Sequence, residues 1–131
     1  MKLRTYFPLF TTKPVCIFGA FVIALVLSAP VSLADTMNDE IDYLISSVGR
    51  NGCSFIRNDR NYRGREAREH LQSKRQRNER LFASTEEFIG KIASESATSG
   101  KPYQIRCRGQ QEIAANEWFT SLLEQYRDVS K

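Results

Sequence analysis

His70 is the single histidine of the chain, and Glu66 stands four residues before it. On a helix that spacing is one turn, so the carboxylate can orient the imidazole. A pair of this kind moves protons in general acid–base chemistry. The same histidine shares its helical face with Ala67 and Leu71, which leaves a second reading open, a hydrogen-bonded core residue without a catalytic part. No serine sits in the G-x-S-x-G frame of a nucleophile elbow. One histidine and widely spaced cysteines offer no close ligand pair, whereas zinc needs three or four ligands, so neither a metal nor another cofactor is expected. "SGKPY", residues 99 to 103, resembles the end of a phosphate-binding loop only superficially. Glu95 stands where that motif requires its first glycine, and Pro102 where it requires Ser or Thr.

The other chemistry on offer is cationic. From Arg50 to Arg80 there are ten Lys and Arg against four Asp and Glu. Arg65, Arg68, Arg75 and Gln72 are placed on the outer face of one helix. Such a face is either solvated, laced here with Glu66, Glu69 and Glu79, or a surface for an anionic partner. A nucleic acid is not the expected partner, because no aromatic side chains interleave with these arginines to stack on bases.

The start of the chain decides where this chemistry operates. Lys2, Arg4 and Lys13 precede the apolar run "VCIFGAFVIALVL", residues 15 to 27. Thirteen residues match the apolar region of a secretory signal peptide and fall short of the roughly 20 a membrane-spanning helix needs. Pro30 breaks the run, and "SLA", residues 32 to 34, supplies small side chains for cleavage after Ala34. The competing reading is an uncleaved anchor. Cleavage leaves 97 of the 131 residues, a single domain spanning 35 to 131 with no transmembrane segment, and removes three of the 19 basic residues but none of the 15 acidic ones. The apparent basicity shrinks to about +1. Cys16 leaves too, so the count becomes even, and Cys53 and Cys107 are expected to pair in an oxidising compartment. Closing a loop of that length should contribute roughly 4 kcal/mol on the chain-entropy model.

Periodicity then places the elements. Ile41, Leu44, Ile45 and Val48 form one helical stripe, capped by Thr36 or Asn38 and ended by Gly49 or Gly52. "CSFIR" alternates as a strand, with Phe55 and Arg57 on one face, and Asn58-Asp59 is a hairpin turn returning through Arg60 to Tyr62. Gly64 precedes a helix from about 65 to 77 carrying Ala67, His70, Leu71 and Lys74 on one side. Ser84 and Glu87 frame a capping box for a helix with Phe88, Ile89, Ile92 and Ala93. A polar loop leads to the strand "YQIRC", a short strand returns near Glu112 and Ile113, and a last helix from about 115 to 127 buries Trp118, Phe119, Leu122 and Leu123. The class is α+β: four helices packed on a small antiparallel sheet of two hairpins. Ile41 and Leu44 match Ile89 and Ile92 at a spacing of 48, Ile56 matches Ile105 at 49, and Leu71 matches Leu122 at 51. These raise a further reading, two pseudo-symmetric helix–hairpin–helix halves.

"EIDYLISSV", "CSFIRN" followed by Tyr62, "EAREHL" with Lys74, "TEEFIGKIAS" and "SGKPYQIRC" together resemble the YfeK-like family of small exported bacterial proteins of unknown function, across residues 40 to 127. The chain departs from that pattern at the turn, where the family has Asn-Gly, and at Arg63 and Arg65, where it has acidic or small residues. The resemblance implies export and a single domain, and no activity.

These observations lead to an expectation of a non-enzymatic periplasmic binding protein whose partner is an envelope protein or an anionic envelope polymer, as monomer or dimer. Its working surfaces are expected at the hairpin tip and the polar loop, around Arg57, Arg60, Ser99, Lys101 and Tyr103, with Arg65 and Arg68 on the flank, because loops on a rigid scaffold carry recognition. The alternatives are a small periplasmic enzyme using His70 with Glu66, and an inhibitor or immunity protein against a cell-wall hydrolase.

Overall fold

The computed structural model describes residues 33–130. The segment expected to act as a signal peptide lies outside them up to residue 32, as does Cys16. The first helix, α1, spans Leu33–Ser47. It therefore starts before Thr36 and Asn38, and neither caps it; Asn38 instead accepts a hydrogen bond from the Arg75 guanidinium at 2.8 Å. Val48 and Gly49 end the helix, Gly49 with φ of 79° in the left-handed region that glycine tolerates.

Strand β1 (Ser54–Arg57) returns as β2 (Arg60–Tyr62) through Asn58 and Asp59, with φ of 50° and 61°. Both central residues at positive φ make the primed turn whose twist suits a two-residue hairpin, and Asn and Asp reach it at modest cost. Helix α2 covers Gly64–Arg77. Helix α3 begins at Thr85, with Ser84 Oγ accepting from Glu87 N at 3.1 Å. It runs as α-helix to Phe88 and as a π-helical turn over Ile89–Ala93. Strands β3 (Gln104–Arg106) and β4 (Ile113–Ala114) follow, then helix α4, Ala115–Val129. No helix among the described residues is long and apolar enough to cross a membrane.

The two hairpins join through their first strands into one antiparallel sheet, ordered β2-β1-β3-β4. Phe55 faces Tyr62 on one side and Ile105 on the other. One core cluster gathers Phe55, Tyr103 and Ile105 with apolar side chains of all four helices, Ile41, Leu71, Phe88 and Phe119 among them. The fold is thus α+β, four helices on a four-stranded antiparallel sheet. Ile56, buried but outside that cluster, lies on the opposite face beside Lys101 and Pro102.

Strand order mirrors about the β1–β3 pair, as two related halves require, but the proposed equivalences shift. Ile105 faces the helices and Ile56 does not, so Ile105 corresponds to Phe55; a one-residue slip changes the face of a strand. Likewise Leu71 corresponds to the buried Leu123, while Leu122 is half-buried. Trp118 is half-buried too, not a core residue.

Two contacts fix how α1 meets α2. A Cβ on Gly49 would lie 2.2 Å from the Cα of Gly64, so the two backbones touch where only glycines fit. Arg68 Nη1 then donates to the carbonyl of Val48 at 2.6 Å, serving an orphan acceptor at the helix end. Arg75 ion-pairs with Asp42. Arg68 and Arg75 therefore bind α2 to α1 and do not form the outward cationic face expected of them. Arg65, 83% exposed beside Glu69, does point outward.

Candidate functional site

The central strands have two ends, and each carries a polar constellation. At the end where β1 closes, Arg57 stands across from Tyr103, both on the helix-facing side of the sheet. Lys74, 6% exposed, reaches there from α2. Its ammonium donates to the carbonyl of Ile92 at 2.7 Å, to that of Glu95 at 2.6 Å and to Tyr103 Oη at 3.4 Å. An ammonium has three protons, and all three are taken. The two carbonyls belong to the end of α3 and the residues after it, where a cation also meets the negative end of the helix.

His70 Nε2 lies 3.1 Å from the same Tyr103 hydroxyl. In the tautomer that leaves Nε2 unprotonated, the tyrosine hydroxyl donates to it, an arrangement open only to a neutral imidazole. Burial first, and then the charges of Arg57, Lys74 and Arg77, lower the His70 pKa to about 4. Burial also raises the pKa of Tyr103, keeping its hydroxyl protonated. Glu66 is not the partner of His70: its carboxylate accepts from Arg63 N at 3.2 Å and serves the start of α2. Spacing allowed the pair, but the helix start competes for the same carboxylate. The result is a chain Lys74–Tyr103–His70 that holds α2, α3 and the sheet together, with no proton-loaded imidazole near neutral pH. Tyr103, at 1% exposure, is core and not a binding surface.

The two expected recognition loops do meet. Ser99 Oγ donates to Asn58 Oδ1 at 2.6 Å, and Lys101 Nζ pairs with Asp59 at 2.6 Å. The polar loop thereby clasps the hairpin tip and spends two of its polar side chains on it. Arg60 stays exposed at the start of β2. Arg57 is half-buried, its Nε without a hydrogen-bond partner among the described residues.

The opposite end holds the disulfide. Cys53 and Cys107 are bonded across the register that pairs Ser54 with Arg106. A groove of about 430 Å³ opens over it, within the usual range for small-ligand sites. Half-buried Trp118 and Leu122 from α4 and Tyr43 from α1 line it together with the exposed Arg50 and Arg108. Asn51, Gln110 and Gln125 add amides, and no Asp or Glu lines it. Two other grooves differ. The one of about 580 Å³ between α1 and α2 contains its own ion pair, Arg75 with Asp42, and adds Glu79 beside Arg80. The one of about 290 Å³ is lined by Glu40 and Glu86, both paired with Arg127. Of the three, the groove over the disulfide presents cations that no lining carboxylate neutralises.

Neither Arg50 nor Arg108 stands out in the chain, one closing a helix and the other opening a turn. A signal was nonetheless present: Arg50 lies three residues before Cys53 and Arg108 directly after Cys107, so the expected disulfide already draws both loops together. Trp118 gave no such sign, since its place in the apolar stripe of α4 reads as core. Among the described residues no group of three His, Cys, Asp or Glu side chains lies close enough to hold a metal ion.

A family model matches residues 35–127, described only as a family of unknown function, DUF5329. The chain belongs to that family. No curated protein and no solved structure matches it.

Proposed function

We propose that this member of a family of unknown function is an exported, non-enzymatic binding protein that uses the groove over the Cys53–Cys107 disulfide as its recognition face. The observation that carries this reading is the composition of that groove: exposed arginines and half-buried aromatic side chains share one concavity with no lining acid. A groove of this kind presents unsatisfied donors and apolar area together, which folding alone does not reward. Export rests on the leader-like residues 1 to 34, with cleavage after Ala34, on a disulfide that suits an oxidising compartment, and on the resemblance to the YfeK-like exported proteins. The periplasm is the compartment this implies, and an envelope component the partner.

The alternative, an enzyme built on His70, lacks the carboxylate partner expected for it, because Glu66 serves the start of α2. An imidazole with a pKa of about 4 is uncharged at neutral pH, too weak a base to take a proton well and unprotonated as an acid.

The test is photo-crosslinking in intact cells, with a photoreactive residue placed in the groove at Gln110 or Gln125 and, as a control, at Glu69 on α2. Adducts that form from the groove positions and not from Glu69 support the reading. Equal adducts from all three, or from Glu69 alone, refute it.

A further inference from the structure

The reading of the groove as a recognition face leaves its ligand open, and the lining narrows it: we propose that the groove binds an acidic saccharide, a chain of sugar rings bearing carboxylates. The inference rests on that reading and concerns the chemistry of the occupant.

Charge comes first. Arg50 makes one side-chain hydrogen bond, to Ser46 Oγ at 3.0 Å. The Arg108 side chain makes no hydrogen bond and no ion pair among the described residues; it runs beside Gly52, where an added Cβ would stand 3.6 Å from the Arg108 Cβ. A guanidinium offers five donors in a planar fork that fits a carboxylate with two parallel hydrogen bonds. Two such forks in one groove, with no lining Asp or Glu, favour an occupant with negative charge.

The rest of the lining distinguishes among anions. Trp118 and Tyr43 supply flat apolar area, which suits the C–H face of a sugar ring. The three amides offer donors and acceptors at once, and this is what ring hydroxyls need. An extended acidic peptide would bind by adding a strand to a sheet edge. The edges here are β2 and β4, and no lining residue belongs to either. A helical peptide would need a continuous apolar trough, and arginines and amides interrupt this one.

The disulfide sets the geometry of the clamp. Arg50 begins the turn Arg50–Gly52 directly before Cys53, and Arg108 directly follows Cys107. The bond ties the two guanidinium-bearing loops to each other, so the oxidised protein presents them pre-positioned and loses less freedom on binding.

Calorimetric titration of the purified oxidised protein tests this with three probes: an oligogalacturonate, a neutral oligosaccharide of the same length, and poly-glutamate. The oligogalacturonate should bind, more weakly as salt rises, while the other two bind at least about tenfold more weakly. Arg108→Gln should weaken oligogalacturonate about tenfold, Trp118→Leu should weaken it as well, and Arg65→Gln on the outer face of α2 should leave it unchanged. Retained folding of the variants is read from their unfolding transitions. No binding of oligogalacturonate, equal binding of poly-glutamate, or equal losses in Arg65→Gln and Arg108→Gln would each overturn the proposal. Groove-specific crosslinks to a protein, combined with no saccharide binding, would leave the recognition face standing and remove the sugar.

Discussion

The two ends of the central strand pair are both cationic, yet one is closed and the other open. At the Tyr103 end a lysine has three donors and three acceptors, all within the protein. At the disulfide end Arg108 has five donors and none engaged among the described residues. A buried cation with every proton matched serves folding, because losing it strands its acceptors. An exposed cation without a partner contributes little to folding and stays available to a ligand in solution. Position on the same small sheet thus separates a side chain whose donors are matched within the protein from one that carries the proposed recognition role.

The disulfide is the strongest probe of this contrast, since it floors the open end and also closes a loop across the fold. Replacing both cysteines by serine should cost about 4 kcal/mol, read as a lower urea midpoint. It should also loosen the groove. A loss far smaller than this would mean that the open end is held by other contacts.

Lys74→Met comes next, at about 3 kcal/mol, because two backbone carbonyls and a tyrosine hydroxyl lose their donor together. The same denaturation measurement decides it. If Lys74→Met cost no more than Arg108→Gln, the distinction between the two ends would collapse.

A third test uses pH. The His70 pKa is lowered to about 4 from 6.5, so below 6.5 the unfolded chain takes up this proton while the folded chain resists it. Stability is therefore full above pH 6.5 and falls as pH drops towards 4, by about 1–3 kcal/mol. Glu40 acts lower on the scale. The bidentate hydrogen bonds from Arg127, at 2.6 and 2.9 Å, hold its pKa below the usual value of 4.5. Its contribution is complete above that value and is lost as pH falls beneath it. His70→Gln should flatten the limb between 6.5 and 4 and leave the lower one. Thermal unfolding followed across pH 3 to 8 separates the two.

The smallest effect is expected at the open end: Arg108→Gln should change stability by less than about 0.5 kcal/mol, measured in the same urea series.

Local pattern carried much of this architecture. The stripe from Ile41 to Val48, the alternation through Phe55 and the positive-φ tolerance of Asn58 and Asp59 each act over a few residues, and each appears where periodicity and turn chemistry place it. The cysteine count likewise pointed to the Cys53–Cys107 bond. Side chains with more than one available partner were the difficult ones. Glu66 lies within a turn of His70 and also three residues from Arg63, which precedes its helix, and the backbone donor won. Arg68 and Arg75 look outward on a helical wheel, but long side chains can lie along a neighbouring helix, and α1 is there to receive them. Trp118 and Leu122 sit at the margin of the α4 stripe, where a small rotation of the helix chooses between core and groove.

Fold class, hairpin positions and the covalent staple follow from residue type and spacing, because they depend on interactions within one element or on chemistry available to two residues alone. Which arginines are satisfied, which histidine partner prevails and where a groove remains open depend on how α1 and α4 pack against the disulfide end of the sheet. Those outcomes arise from competition among partners far apart in the chain, and a linear order of residues does not rank competitors that become neighbours only on folding.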